Sequence, residues 1–116
     1  MKLIVLLASI LSFGFHEFQS NEESISNGSV LYYQNCTPCH SLDENIIGPA
    51  LRDIHLKRDS AWLFRWTTRS QKLIESGDTA AVAIFNKHNR IVQPDFKLSA
   101  TQVDDIYKYI KAARRK

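Results

Sequence analysis

Two cysteines and a histidine fall within one short segment, Cys36-Thr37-Pro38-Cys39-His40, and this motif constrains the chain more than any other feature. Positions three apart on a helical turn face the same side, so both sulfur atoms can reach one edge of a flat ligand. C-x-x-C-H is the attachment signature of c-type haem, in which the two thiols form thioether bonds with the vinyl groups. His40 then lies under the iron as its proximal ligand. We therefore predict one covalently attached haem c.

Two other uses of a C-x-x-C pair fit the sequence less well. A four-ligand zinc site needs two further ligands at suitable spacing. The chain has no other cysteine, and His40 directly follows Cys39, which is a poor chelate geometry for a tetrahedral ion. A thioredoxin-like redox motif needs a βαβ pattern around it, and the sequence shows none.

The N-terminus is predicted to be a secretory signal peptide. A positive charge precedes the almost wholly apolar run Leu3–Phe15, which is shorter than the about 20 residues of a spanning helix. Small side chains at Ser12 and Gly14 predict cleavage after Gly14, which would remove residues 1–14, and cleavage as late as residue 20 is a second option. An uncleaved N-terminal membrane anchor is the alternative.

The length and the net charge limit the number of domains and the kinds of partner. The 116 residues allow one domain, and the formal net charge is +3. Two ionised haem propionates would bring the holoprotein close to neutral, so the basic residues do not predict nucleic-acid binding. The cations Lys111, Arg114, Arg115 and Lys116 are typical of a solvated helix end. We expect a monomer.

Apolar residues recur at helical spacing, and no strand-like alternation of useful length is present. The sequence predicts an all-α fold with about four helices around one haem. The polar stretch 21–27 is predicted to be a linker, and residues 28–116 the folded domain, with a first helix running from Ser29 into the haem motif. Capping signals predict further helices over about 59–76, over 79–88 and from residue 99. Those signals are Asp59, Gly77, Asp78 and the capping box Ser99-Ala-Thr-Gln102.

The order of these pieces resembles the small class I cytochromes c, over about Gly28 to Lys111. In that family a glycine and an aromatic residue precede the haem motif, as Gly28 and Tyr32 do here. A Gly-Pro pair follows the motif, as at Gly48-Pro49, and normally packs beside the proximal histidine. The resemblance therefore implies a cytochrome c fold in which Pro49 belongs to the haem site.

The resemblance also covers the last helix and the stretch before the middle one. A terminal helix that carries Ile106 and Tyr109 would cross the first helix near Gly28, where a missing side chain allows close approach. The segment from Arg58 through Trp62 looks like that of short bacterial periplasmic members. This likeness implies that Arg58 and Trp62 contribute to the environment of the haem propionates.

The family pattern breaks at the second axial ligand. Such cytochromes usually supply a methionine thioether from a Met-Pro segment before the last helix. The only methionine here is Met1, and Gln93 stands before Pro94 at the expected position. Four possibilities remain for the sixth position: the Gln93 amide, an open or water-bound site, His88, and a lysine at high pH. Imidazole is the better iron ligand, but His88 lies five residues before the expected position.

The sequence therefore predicts a periplasmic electron carrier and not an enzyme. Electrons would pass through the exposed haem edge to and from redox partner proteins, and lysines such as Lys57 and Lys97 would steer an acidic partner. We expect no nucleic-acid partner, and no membrane contact once the signal is removed. The alternative function is a haem-based binder or sensor of small ligands such as NO or CO, which follows from the missing methionine.

Overall fold

The computed structural model describes residues 20–113, and these residues form helices and connecting loops with no strand. The helices are α1 (residues 20–35), α2 (Ile54–Lys57), α3 (Ser60–Glu75), α4 (Thr79–Lys87) and α5 (Ala100–Ala112). The predicted all-α fold is confirmed, and the single turn α2 brings the helices in this part of the chain to five instead of about four. The predicted signal peptide and residues 114–116 of the cationic end lie outside the described residues.

Helix α1 already includes the segment 21–27, which the sequence predicts to be a linker. The segment is helical for a physical reason. Most side chains of this segment are exposed and polar, so it lacks the apolar periodicity from which a helix is predicted. Extending a helix from a packed turn costs little once the helix has been nucleated, and polar residues on a solvated turn are compatible with it.

The predicted helix caps are present. The Asp59 side chain accepts a hydrogen bond from the Trp62 amide at 2.8 Å and begins α3. Gly77 has φ = 78°, the left-handed conformation that ends a helix, and Asp78 then caps α4. Ser99 and Gln102 form both hydrogen bonds of the capping box at the start of α5. Local sequence therefore determines where these helices begin.

Helices α1 and α5 cross at Gly28. Glycine is required there, because a Cβ atom would overlap the carbonyl oxygen of Asp105 and lie 3.0 Å from the Ile106 amide nitrogen. Tyr32 lies one turn further along α1 and packs with Ile106 and Ile110 in a buried cluster. The crossing implied by the family resemblance is therefore the crossing observed, and it places the end of α1 against the core.

A buried arginine links the loop after the haem motif to the end of α5. The Arg52 side chain is 8% exposed, forms an ion pair with Asp43 and donates to the Ala113 carbonyl. Buried charges are tolerated when they are paired and hydrogen-bonded, as Arg52 is. This set of bonds holds the loop that carries Gly48 and Pro49.

The remaining core joins α3 to α4. Trp62, Leu63 and Leu73 of α3 pack with Ala81 of α4, which is fully buried. Within residues 20–113, no helix has the length and apolar character needed to cross a membrane.

The crossing at Gly28 predicts the effect of a single methyl group. Gly28→Ala should lower the free energy of unfolding by about 2 kcal/mol, because overlap with rigid backbone outweighs the about 1 kcal/mol that alanine gains over glycine in a helix. The measurement is chemical denaturation of the holoprotein. Asn27→Ala, at the exposed neighbouring position, should change stability by less than about 0.5 kcal/mol. Equal stability of the two variants would contradict this account of the crossing.

Candidate haem-binding site

The C-x-x-C-H motif forms a turn at the end of α1. The Cys36 amide donates to the Tyr32 carbonyl at 2.8 Å, and the His40 amide donates to the Cys36 carbonyl at 2.9 Å. This turn brings the two cysteines and His40 to the wall of one cavity. Burial, and then the neighbouring Cys39, raise the pKa of the Cys36 thiol to about 11. Thiolate-driven disulfide exchange is therefore disfavoured at Cys36.

The His40 ring is held by the Gly48-Pro49 segment. Its Nδ1 lies 2.8 Å from the Pro49 carbonyl oxygen, and since a carbonyl only accepts, Nδ1 carries the proton. In the neutral form of this ring, the Nε2 atom keeps its lone pair, which is the form of histidine that ligates a metal. A Cβ atom on Gly48 would stand 2.8 Å from His40 Nδ1 and 3.0 Å from Nε2. The missing side chain at Gly48 thus makes room for the ring.

The cavity beside His40 has a volume of about 260 Å³, and a second of about 70 Å³ shares part of its wall. Apolar side chains make up most of both walls, and the two cavities share His40, Pro49 and Gln93. Residues that line the larger one include Cys36, Cys39, Leu51, Ile54, Trp62, Leu63, Trp66, Phe96 and Tyr107. A flat apolar ligand with one iron and two thioether links fits this set of residues. Two thiols and an imidazole meet at one wall.

Arg58 and Trp62 are in contact, but only Trp62 lines the larger cavity. The Arg58 guanidinium lies 5.3 Å from the centre of the Trp62 ring, and Trp62 stacks on Trp66 at 5.3 Å with an interplanar angle of 9°. The Trp62 ring lines the larger cavity, but its Nε1–H donates to Asp78 at 3.0 Å. The Trp62 indole N–H thus has an acceptor within the chain, Asp78, which the sequence did not indicate.

Two buried nitrogen atoms before α3 have no hydrogen-bond partner among the described residues. They are His55 Nδ1 and Arg58 Nε. Buried polar atoms are normally paired, so the Arg58 Nε–H is suited to an acceptor that the polypeptide itself does not supply, and so is His55 Nδ1 in the tautomer that protonates it. A carboxylate such as a haem propionate is an acceptor of this kind.

Gln93 and His88, the two candidate sixth ligands, both line the smaller cavity together with His40. Gln93 also lines the larger one, and its Nε2 donates to the Trp66 carbonyl at 3.2 Å. His88 caps the C-terminus of α4. Burial, then Lys87 and His40, lower the pKa of His88, so its imidazole is neutral at neutral pH. Either side chain is chemically available near His40.

Tyr107 adds a polar group that the sequence did not single out as functional. Its hydroxyl lies 2.8 Å from the Thr67 hydroxyl, and its ring lines the larger cavity. Burial raises the pKa of Tyr107 to about 12, so the phenol stays protonated. The helical spacing of α5 places Tyr107 beside Ile106, and on sequence alone it is indistinguishable from a core aromatic residue.

An all-helical domain with this motif, this proximal histidine and this apolar cavity is a c-type cytochrome. The sequence model of the cytochrome c family matches residues 25–114, and the chain belongs to this family. It is a haem-carrying electron-transfer protein of the class I type, with covalent haem c as its cofactor, and it acts with partner proteins.

Solved structures support the same assignment. Cytochrome c from Rhodothermus marinus is similar with 26% identity and a TM-score of 0.70, over 78% of this chain and 76% of that one. An engineered form from that organism, Rma TDE, has 27% identity and the same TM-score and coverage. The engineered form bound to a carbene intermediate has 26% identity and a TM-score of 0.67, again with the same coverage. Among curated proteins, none matches this chain.

The Trp62–Asp78 contact predicts a pH dependence. Hydrogen bonds from the Ala81 amide and then from the Trp62 indole lower the pKa of Asp78 below its ordinary value of 3.8. A carboxyl with a lowered folded pKa contributes stability above its unfolded pKa and loses it as the pH falls through the folded pKa.

Asp78→Asn should therefore be less stable than the wild type at about pH 7, and the difference should shrink towards about pH 3. Denaturation curves across this range measure it. Asp95→Asn changes a carboxyl with an exposed side chain and should show a small difference at every pH. A constant Asp78→Asn difference would show that the charge of Asp78 makes no such contribution.

Proposed function

We propose that the protein is a periplasmic electron carrier in which Cys36 and Cys39 hold the haem and His40 is the proximal ligand. The observation that carries the proposal is the His40 Nδ1–H bond to the Pro49 carbonyl, which leaves Nε2 as the ring nitrogen available to iron at an apolar cavity that both cysteines line. Bound haem c supplies a one-electron ferrous/ferric couple. The Pro49 carbonyl orients the imidazole and raises its basicity.

Other residues of the site have supporting roles. The unpartnered Arg58 Nε is suited to a propionate. Trp62 lines the cavity as an apolar side chain and helps to exclude water there. Tyr107 adds a protonated hydroxyl, paired with Thr67, to a mainly apolar wall.

We propose that redox partners dock beside the smaller cavity, where apolar side chains are exposed. Ile47, Ile91 and Val92 line this cavity and are about half exposed, at 49%, 52% and 56%. Apolar side chains of this kind suit a small, transient contact with a redox partner. Lys57 and Lys97, both exposed, would steer an acidic partner towards it. We propose a monomer that meets separate donor and acceptor proteins, in the periplasm after signal cleavage, with an N-terminal anchor as the alternative.

Gln93 is the residue we propose at the sixth position, with His88 as the alternative ligand. Gln93 lines both cavities with His40, and His88 lines only the smaller one. An amide is a weak ligand for iron compared with imidazole or thioether. A weakly held sixth position supports the second candidate function, a binder or sensor of NO or CO.

The attachment prediction is tested on protein purified from the periplasm of a host that matures c-type cytochromes. The intact mass should equal the mature polypeptide plus one haem, and the haem should survive acid–acetone extraction. Cys36→Ala with Cys39→Ala should abolish covalent attachment, and His40→Ala should abolish stable low-spin or high-spin holoprotein. The same mass distinguishes cleavage after Gly14, cleavage after Ser20 and a retained anchor. A mass equal to the bare polypeptide would refute the proposal.

The ligation prediction concerns the loop before α5. Gln93→Met should raise the reduction potential and introduce the sulfur-to-iron charge-transfer band, because thioether ligation raises the potential. Lys97→Met is the matched control, since it adds a methionine to the same loop at an exposed position outside both cavities.

Potentiometry and absorption spectra of the two variants give the result. No change in Gln93→Met would show that this side chain does not reach the iron. A low-spin wild type that binds CO only after His88→Ala would instead establish His88 as the ligand and a bis-histidine carrier.

A further inference from the structure

Helix α3 contains a break that the sequence does not predict. Arg69 has φ = −151° and ψ = 44°, so one residue inside the helix leaves the helical conformation. In a regular helix, the carbonyls of Trp66 and Thr67 accept from the amides four residues later, and both of those amides lie beyond Arg69. An interruption of this kind allows the carbonyls of the preceding turn to accept other donors.

The other donors come from one loop, the segment before α5. The Phe96 amide donates to the Thr67 carbonyl at 3.3 Å. The Gln93 Nε2 donates to the Trp66 carbonyl at 3.2 Å. On the far side of the break, the Ser70 hydroxyl donates to the Gln93 carbonyl at 3.1 Å. Three hydrogen bonds thus join the broken turn of α3 to the residues that carry the candidate sixth ligand.

Two of the residues that form these hydrogen bonds are buried, so the loss of a bond would be costly. Ser70 is 0% exposed and Thr67 is 7% exposed. A buried hydroxyl without a partner costs the free energy of its desolvation, so Ser70 stabilises the loop position that satisfies it. The Gln93 amide nitrogen is likewise committed to Trp66, which leaves the Gln93 Oε1 as the amide atom available to a ligand in the cavity.

We propose that the broken turn of α3 positions Gln93. Ser70 is the main positioning residue, and the Trp66 and Thr67 carbonyls add two further hydrogen bonds to the same loop. The bonds fix the register of the loop and present the amide oxygen, not the nitrogen, at the sixth position. They also control how readily an external ligand displaces Gln93. This inference rests on the proposed haem site and deepens it.

Ser70→Ala removes one of the three bonds and leaves every cavity-lining residue in place. CO should bind the ferrous holoprotein about 5-fold faster in this variant, the factor that corresponds to one hydrogen bond of about 1 kcal/mol. Ser76→Ala is the matched control, because the Ser76 hydroxyl donates to Leu73 within the same helix. Its CO rate should equal that of the wild type.

A second measurement needs no external ligand, and its first comparison uses the wild type alone. The Phe96 amide of the wild-type holoprotein should exchange with solvent at least about 10-fold more slowly than that of Asp95, because it donates to Thr67. Ser70→Ala should speed Phe96 exchange, and Ser76→Ala should not.

The outcomes separate this inference from the proposed function. Missing covalent haem would refute the proposed function, whereas Phe96 exchange in the wild type would still test the contact with α3. Intact haem with rapid Phe96 exchange would overturn the positioning role. Equal CO rates in wild type and Ser70→Ala, or equal acceleration in both serine variants, would also overturn it. If Ser70→Ala does not fold, the wild-type exchange measurement decides.

Discussion

The close contact of α1 and α5 at Gly28 is the constraint on which the rest of the structure depends. Because no side chain separates the two backbones there, Tyr32 one turn later reaches the cluster around Ile106 and Ile110. The haem motif follows in the next turn and therefore has a fixed position relative to α5. The Arg52 bonds to Asp43 and to the end of α5 then hold the loop that supplies the Pro49 carbonyl.

Most of the polar groups described around the cavity are hydrogen-bonded within the chain, so few are left to bind a ligand. Trp62 donates to Asp78, Tyr107 and Thr67 share a hydrogen bond, and His40 Nδ1 donates to Pro49. Each pairing satisfies a group that would otherwise be costly to bury. What remains at the wall near the two cysteines is His40 Nε2, the ring nitrogen that can ligate the iron of a porphyrin. The site is thus organised for ligation by the pairing of its neighbours.

The sequence predicted features that depend on local chemistry. The C-x-x-C-H motif, the Asp59 and Asp78 caps and the Gly77 stop depend on residues a few positions apart, and each lies where it was expected. Gly28 was predicted only through the family resemblance, because its partner is 77 positions away in Asp105. The features that could not be predicted depend on tertiary partners. They are the helical segment 21–27, the acceptor of the Trp62 indole, the Arg52 bonds and the break at Arg69.

The break in α3 bears on the choice between carrier and sensor. A sensor needs an element with two arrangements whose balance the ligand shifts. Here the loop that carries Gln93 is joined to α3 through a fully buried hydroxyl and two backbone carbonyls. Displacing the loop would leave the buried Ser70 hydroxyl unpaired, which opposes a second arrangement. A carrier benefits from the opposite property, because a site that changes little between oxidation states needs little rearrangement at each transfer. The hydrogen bonds of α3 therefore favour electron transfer even though the loop before α5 carries Gln93 and no methionine.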